Sequence, residues 1–347
     1  MVDVILAVDI IQLLYKIPSM LLMMLSIYVI IKEIKNKNNH FNKQFYTIIV
    51  CKLTNEIFYI ITIFTFIKLP KWGFYNDFLE NNNWTATIFY VLLAQQTTFM
   101  FLITLLISVN RYIAIKYPLS YQIYFSKSKI LLTLLTFIIL STIIGVGNIL
   151  FNARYKKVDL FVYIVPAFKF KNEVYYQHFY KIFLFGIISI ATCTFNVMAI
   201  LILKKHNLIA NNYKRELYYI IYSVFIFITL FTVEAFFVFR LIHMIYQTKL
   251  FFYISNFLHV VAFDSTTIGD FYFLIYSCRE LRKALKTTFG CSKKFNNKVS
   301  IKIPYRRIWI NFLSLKMILI RFSEFYSNNA KDSFQVQYSP IITYFNQ

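Results

Sequence analysis

The sequence predicts an all-α membrane protein built as a seven-transmembrane helix bundle, and three observations predict it. First, 59% of its residues are hydrophobic and 20% aromatic, with only 15% charged, whereas a soluble domain averages about half apolar and about a quarter charged. Second, a mean hydropathy of +0.57 would place more apolar surface against water than a soluble fold tolerates. Third, apolar runs recur at the length of about 20 residues that a helix needs to cross a bilayer core of about 30 Å.

Seven runs reach that length: Asp9–Ile31, Phe45–Leu69, Thr87–Val109, Lys129–Phe151, Phe179–Leu203, Leu217–Ile242 and Phe251–Ser277. The first has no positive stretch before it and is too long for a cleavable leader, so it is expected to act as a signal anchor. The second carries Lys52 and Glu56 four residues apart, a spacing that puts them on one face as a self-neutralising pair. The third stops at Asn110-Arg111, and the fourth is followed by a loop of mixed bases. Lys204 and Lys205 close the fifth, and Lys214 and Arg215 precede the sixth. The second, sixth and seventh are rich in Ile, Phe and Tyr, which suits strands in water. In lipid, length decides for helix, because only a helix satisfies every backbone group locally. Asn55, Gln95, Gln96 and Asn196 are expected to supply interhelical hydrogen bonds.

Loop charge predicts the orientation. With the N-terminus outside, the cytoplasmic loops hold Lys32, Lys35, Lys37 and Lys43, then Arg111, Lys116 and Lys127, then Lys204, Lys205, Lys214 and Arg215, and the tail adds Arg279, Arg282 and Lys283. The other side holds few bases outside the loop after the fourth span. Positive residues stay on the cytoplasmic side, so the N-terminus is read as extracellular and the C-terminus as cytoplasmic. The same spread accounts for the net charge of +22 and argues against nucleic acid as a partner, which needs bases gathered on one face.

Asn110-Arg111-Tyr112-Ile113-Ala114-Ile115-Lys116-Tyr117-Pro118-Leu119-Ser120-Tyr121 follows directly on the third span. This frame of Arg, aromatic, small residue and then Pro resembles the cytoplasmic end of the third span in rhodopsin-like G-protein-coupled receptors, with Asn110 where those receptors usually carry Asp. Tyr15-Lys16-Ile17-Pro18-Ser19-Met20, Leu69-Pro70-Lys71-Trp72, and Arg279 with Leu281-Arg282 narrow the likeness to nematode serpentine chemoreceptors, the Srv class within the Srg-like group. The resemblance covers roughly residues 10–290. It implies a receptor domain over 1–290, ended by a short amphipathic eighth helix (Arg279–Phe289); residues 291–347 lie outside it and read as a basic cytoplasmic tail, partly amphipathic or disordered.

The resemblance implies roles residue by residue. Arg111, with Asn110 and Tyr112, is expected at the G-protein contact, and Pro118 and Leu119 to shape the neighbouring loop, Leu119 as an apolar plug. Because Asn110 brings no carboxylate, Glu216 is expected to restrain Arg111 across the bundle, and Asp270 to belong to a switch network. Gln96, Glu234 and Asp264 are the polar candidates for ligand contact, each with packing or pairing as the alternative. Eighteen residues before Arg111, where receptors for biogenic amines carry an Asp, stands Leu93, so an ammonium held there is not expected. The Pro that bends the sixth and seventh spans in rhodopsin-like receptors is absent here. No cysteine stands where the extracellular disulfide of those receptors forms.

Asn83-Trp84-Thr85 is a glycosylation sequon so close to the third span that it is expected to stay unmodified. Cys291 is a palmitoylation candidate, with an unmodified thiol as the equal alternative. Residues 308–322 read as an interfacial amphipathic helix on the inner leaflet. Metal-ligand clusters, nucleophilic triads and phosphate-binding Gly loops are not found, so no enzyme, cofactor or metal is expected. The reading is a chemosensory receptor in the plasma membrane of a sensory neuron, binding an external small molecule and activating a heterotrimeric G protein. Receptor oligomers remain an open option. The alternatives are a seven-span ligand-gated cation channel of the gustatory or odorant type, which has the opposite topology, and a small-solute transporter, which would show repeats and Gly- or Pro-broken helices.

Overall fold

The computed structural model describes residues 2–36, 42–158, 163–168, 173–205, 212–246 and 249–288. Cys291 and the 308–322 segment lie outside them. Long helices dominate: α1 (Val2–Lys35), α2 (Lys43–Lys71), α3 (Trp84–Lys116), α4 (Lys127–Phe151), α5 (Tyr175–Lys205) and α6 (Asn212–Tyr246). Each of these six is long and apolar enough to cross a membrane. The seventh run, α7, is helical from Lys249 to Ser277, with Asp264 and Asp270 inside it. A short α8 (Arg279–Thr288) follows.

The helices outrun the predicted spans by a few residues. Helical hydrogen bonding continues through the polar headgroup zone after the apolar run has ended. Capping fixes some starts. The Asn42 side chain accepts from the Phe45 amide at 3.1 Å, and Ser126 from that of Lys129 at 3.4 Å.

Helix α3 is the axis of the bundle, packing against α2, α4, α5 and α6. Of its most apolar stretch 72% is buried, against 22% for α4. Gly145 lets α4 approach closely, since a Cβ there would lie 2.6 Å from the Val91 carbonyl oxygen on α3. Helix α8 is amphipathic, laying Leu281, Ala284 and Leu285 into the core beside α1 and turning Arg279, Lys283 and Lys286 outward.

Among the described residues, three helices contain a π-helical turn: Phe64–Lys68 in α2, Phe179–Leu184 in α5 and Ser265–Gly269 in α7. Each inserts residues beyond the regular α repeat, so the face presented after it is rotated relative to an unbroken helix. Such turns bend helices without proline, which α5, α6 and α7 lack.

After α4 the chain forms a hairpin of β1 (Ala153–Val158) and β2 (Tyr163–Phe168), antiparallel with Ala153 opposite Phe168 and Val158 opposite Tyr163. Ala153, Tyr155 and Ile164 form a small core with Leu79 and Ala86. Tyr155 Oη donates to the Phe66 carbonyl at 3.1 Å, and Tyr90 Oη to that of Pro166 at 2.8 Å. Burial, with Tyr75 nearby, pushes the Tyr155 hydroxyl well above the usual tyrosine range, which keeps it a donor. Cys51, Cys193 and Cys278 are free thiols, and these two hydrogen bonds and the apolar contacts hold the hairpin to α2 and α3.

Candidate functional site

A cavity of about 560 Å³ opens among α1, α2, α3, α5, α6 and α7, a size suited to a small organic ligand. Its polar groups begin on α1. Asp9, Gln12 and Lys16 recur at helical spacing within an apolar span and so face inward together. Asp9 binds Lys68 and, at 2.7 Å, Lys71 from α2; Lys68 also donates to Gln12 Oε1 at 2.9 Å. Lys16 meets Asp264 of α7 at 2.8 Å, and the Tyr15 hydroxyl donates to the same carboxylate.

The opposite wall is aromatic and basic. Lys181 Nζ lies 5.3 Å from the Phe237 ring centre and donates to Gln177. The Arg240 guanidinium sits 6.0 Å from the ring centre of Phe236. His259 packs between Phe236 and Phe263, with ring centres 5.1 and 5.2 Å away. Tyr59 stacks on Phe263 at 5.7 Å. Leu93 and Thr97 of α3 face the same space.

Deeper in the bundle, fully buried charges join three helices. Lys52 Nζ donates to Glu56 one turn along α2 and, at 3.1 Å, to Asp270 of α7. Thr229 of α6 donates to the other Asp270 oxygen at 2.9 Å. Glu56 Oε2 has no hydrogen-bond partner among the described residues. The expected Lys52–Glu56 pair is present, but it is not closed on itself, because Asp270 shares the lysine.

The Arg111 end of α3 lies beyond this triad. Arg111 is completely buried, donates to Asn110 Oδ1, and lies 4.2 Å from the Phe45 ring centre and 4.7 Å from that of Tyr219. Asn110 Nδ2 donates to Tyr121 Oη at 2.8 Å, tying the loop helix Tyr121–Tyr124 to α3. Tyr112 turns toward Phe195 of α5, with ring centres 5.6 Å apart. Pro118 is exposed and Leu119 is 98% exposed, standing out from the loop. The Glu216 side chain lies outside the described residues.

The Srg family chemoreceptor pattern matches residues 9–285, four-fifths of the chain. The chain belongs to the Srg family of chemoreceptors. Curated proteins gave no significant match. As a family member it is a nematode serpentine chemosensory receptor with a seven-transmembrane fold and a multi-pass membrane setting. The Srv class is not the one matched; the broader Srg-like placement holds.

Of the expected ligand residues, Asp264 lines the cavity of this receptor, and Gln96 and Glu234 do not. Gln96 is buried between α2 and α3, donating to Thr62 at 2.9 Å and accepting at its backbone carbonyl from Asn55 at 3.1 Å. Glu234 faces α5, with a carboxylate oxygen 3.7 Å from the position of a Cβ at Gly186. Asn196 accepts from Ser223 at 2.7 Å, interhelical glue as its sequence context suggests. Sequence reasoning passed over Asp9, Gln12, Lys16 and Lys68; the inward spacing on α1 was the available signal. Asn83 is exposed at the start of α3.

Proposed function

We propose that this receptor binds an external small molecule in the cavity and activates a heterotrimeric G protein at the Arg111 end. The observation that supports it most is the placement of the two sites on shared helices. Thr97 and Arg111 of α3 are separated by fourteen residues, about 21 Å of helix. On α7, Asp264 at the cavity and Asp270 in the buried triad flank the π-helical turn Ser265–Gly269. A ligand that alters the Asp264 contacts therefore acts on the helix whose next turns hold Lys52 and Thr229, and a packed core of this kind switches between discrete arrangements.

The loop charge supports an orientation in which the cavity opens toward the outside and the Arg111 end faces the cytoplasm, as this function requires. A plasma-membrane location in a sensory neuron fits a chemoreceptor. Exposed Leu119 then offers an apolar contact to the G protein, and Arg111, withheld in this conformation, becomes available on activation.

The test is a G-protein activation assay in cells exposed to a chemical panel. An active compound should lose its signal in Arg111→Ala while still stabilising the purified variant against heat. Equal signalling by Arg111→Ala at matched surface level would refute the coupling role. Tags at Met1 and Gln347, stained with and without permeabilisation, check the orientation.

A further inference from the structure

At the Arg111 end of the bundle, two neighbouring helices each carry exposed bases on a single face. On α8, Arg279, Lys283 and Lys286 stand at i, i+4 and i+7 and so share one face. Opposite them, Leu281, Ala284 and Leu285 are buried in the core, with α8 packed beside α1. That packing fixes the rotation of α8 and turns its basic face away from the protein. On α1, exposed Leu21, Met24, Tyr28 and Ile31 recur at helical spacing and form a lipid-facing stripe. Lys32 and Lys35 continue that stripe at the end of the helix, both exposed. Among the described residues, none of these five bases has an ion-pair partner. The acids of the same two stretches, Glu33 and Glu280, are half-buried and lie off both basic faces. Membrane orientation requires only that bases lie on one side of the bilayer. It sets no helical phase, yet both rows keep one. Like charges three and four residues apart repel, and a polyanion beside them offsets that repulsion.

We infer that α8 and the end of α1 together bind the headgroup of a phosphorylated inositol lipid in the cytoplasmic leaflet. Its acyl chains lie along the α1 stripe, and its phosphates meet Lys32, Lys35, Arg279, Lys283 and Lys286. A headgroup with a single net charge satisfies one base, whereas bases gathered on two packed helices match several phosphates. Leu281 of α8 shares one core cluster with Phe45 and Tyr219, the rings against Arg111. A lipid that braces α8 on α1 therefore also braces the aromatic pair that holds Arg111. The inference depends on the orientation proposed above, because anionic inositol lipids gather on the cytoplasmic leaflet. It does not depend on what the cavity binds.

Matched lipids test this. The full-length receptor is reconstituted in phosphatidylcholine nanodiscs containing graded amounts of phosphatidylinositol bisphosphate or, at equal total negative charge, phosphatidylserine, and its melting is followed. The bisphosphate lipid should raise the melting temperature at a charge density where phosphatidylserine has little effect. Each base near an anionic surface changes binding about fivefold, so Lys32→Gln/Lys35→Gln should raise the lipid density needed about thirtyfold. Arg279→Gln/Lys283→Gln/Lys286→Gln should raise it about a hundredfold. Lys204→Gln/Lys205→Gln removes two exposed bases from the end of α5 and should leave the response unchanged. If the α8 variant fails to fold, the α1 variant decides. Equal stabilisation by phosphatidylserine, an equal loss in the α5 variant, or no loss in the α1 variant overturns the inference, as does the absence of any stabilisation. Soluble inositol trisphosphate forms the second arm. Stabilisation by it equal to that by the lipid would make a free polyphosphate the ligand and overturn the lipid assignment. Any of these failures leaves ligand binding and G-protein activation standing. An inside N-terminus in the tag experiment would end the cytoplasmic assignment and the coupling role together, whatever the nanodiscs show.

Discussion

Helix α7 makes two junctions of the same chemistry at two depths. Asp264 joins it to Lys16 and Tyr15 of α1, and Asp270 joins it to Lys52 of α2 and Thr229 of α6. The first pair is 15–19% exposed and the second at most 1%. That difference in burial separates a contact that can open from one that holds the bundle. Near water, a broken pair regains most of its solvation. In the interior, removing one partner leaves an uncompensated charge, which costs far more than the pair itself contributes. The π-helical turn Ser265–Gly269 lies between them and interrupts the regular α-helical hydrogen bonding, so movement at Asp264 need not drag Asp270 with it.

The largest effect is therefore expected at Lys52. Lys52→Met strands Glu56 and Asp270 together in the core and should destabilise the fold by about 3–5 kcal/mol, seen as retention inside the cell and a lower melting temperature of what is purified. Adding Glu56→Gln and Asp270→Asn should recover most of the loss, because the buried charges then go with their partner. Wild-type surface levels for Lys52→Met alone would show that the triad does not hold the bundle, and the contrast with Asp264 would collapse.

Asp264→Asn should cost less, about 2 kcal/mol for the weakened lysine and tyrosine contacts. Surface expression should persist. Its distinctive consequence is on response: freeing α7 from α1 should raise basal G-protein signalling and shift the ligand dose-response curve. A variant as unstable as Lys52→Met, with no change in signalling, would place Asp264 among the structural contacts instead.

These depths are partly legible in the sequence. Membrane-length apolar runs fix how many helices there are, and i, i+4 spacing alone is enough to pair Lys52 with Glu56. The third member, Asp270, is 218 residues away and meets them only through packing. Gln96 and Glu234 show the other limit. Their depth in the membrane follows from the span boundaries, but whether they face a cavity or a neighbouring helix depends on rotation about the helix axis, and apolar residues all round give little periodic signal. The π-helical turns add to this. Lys68 ends one and Lys181 sits within another, so an ideal α-helical wheel misplaces these two of the cavity's lysines. Asp9, Gln12 and Lys16 precede any such turn, and regular spacing does describe them.

Arg111 provides the finest test, because there the buried charge has an amide where the resembling receptors carry a carboxylate. The guanidinium lies against Phe45 and Tyr219 and donates to Asn110, whose own amide nitrogen donates to Tyr121. In Asn110→Asp the new carboxylate accepts from Arg111 as an ion pair. It can no longer donate to Tyr121, but the Tyr121 hydroxyl can rotate and donate in turn, so both contacts survive with a charge added. The gain, about 1 kcal/mol for a charge-assisted hydrogen bond in place of a neutral one, should favour the conformation in which Arg111 is withheld and lower basal G-protein signal about fivefold at equal surface level. Tyr121→Phe in the same background should leave the ion pair and most of that reduction in place. Unchanged basal signalling in Asn110→Asp would mean that the aromatic faces, rather than the neighbouring polar group, hold Arg111. The restraint would then resemble the Lys52 junction in depth but not in chemistry.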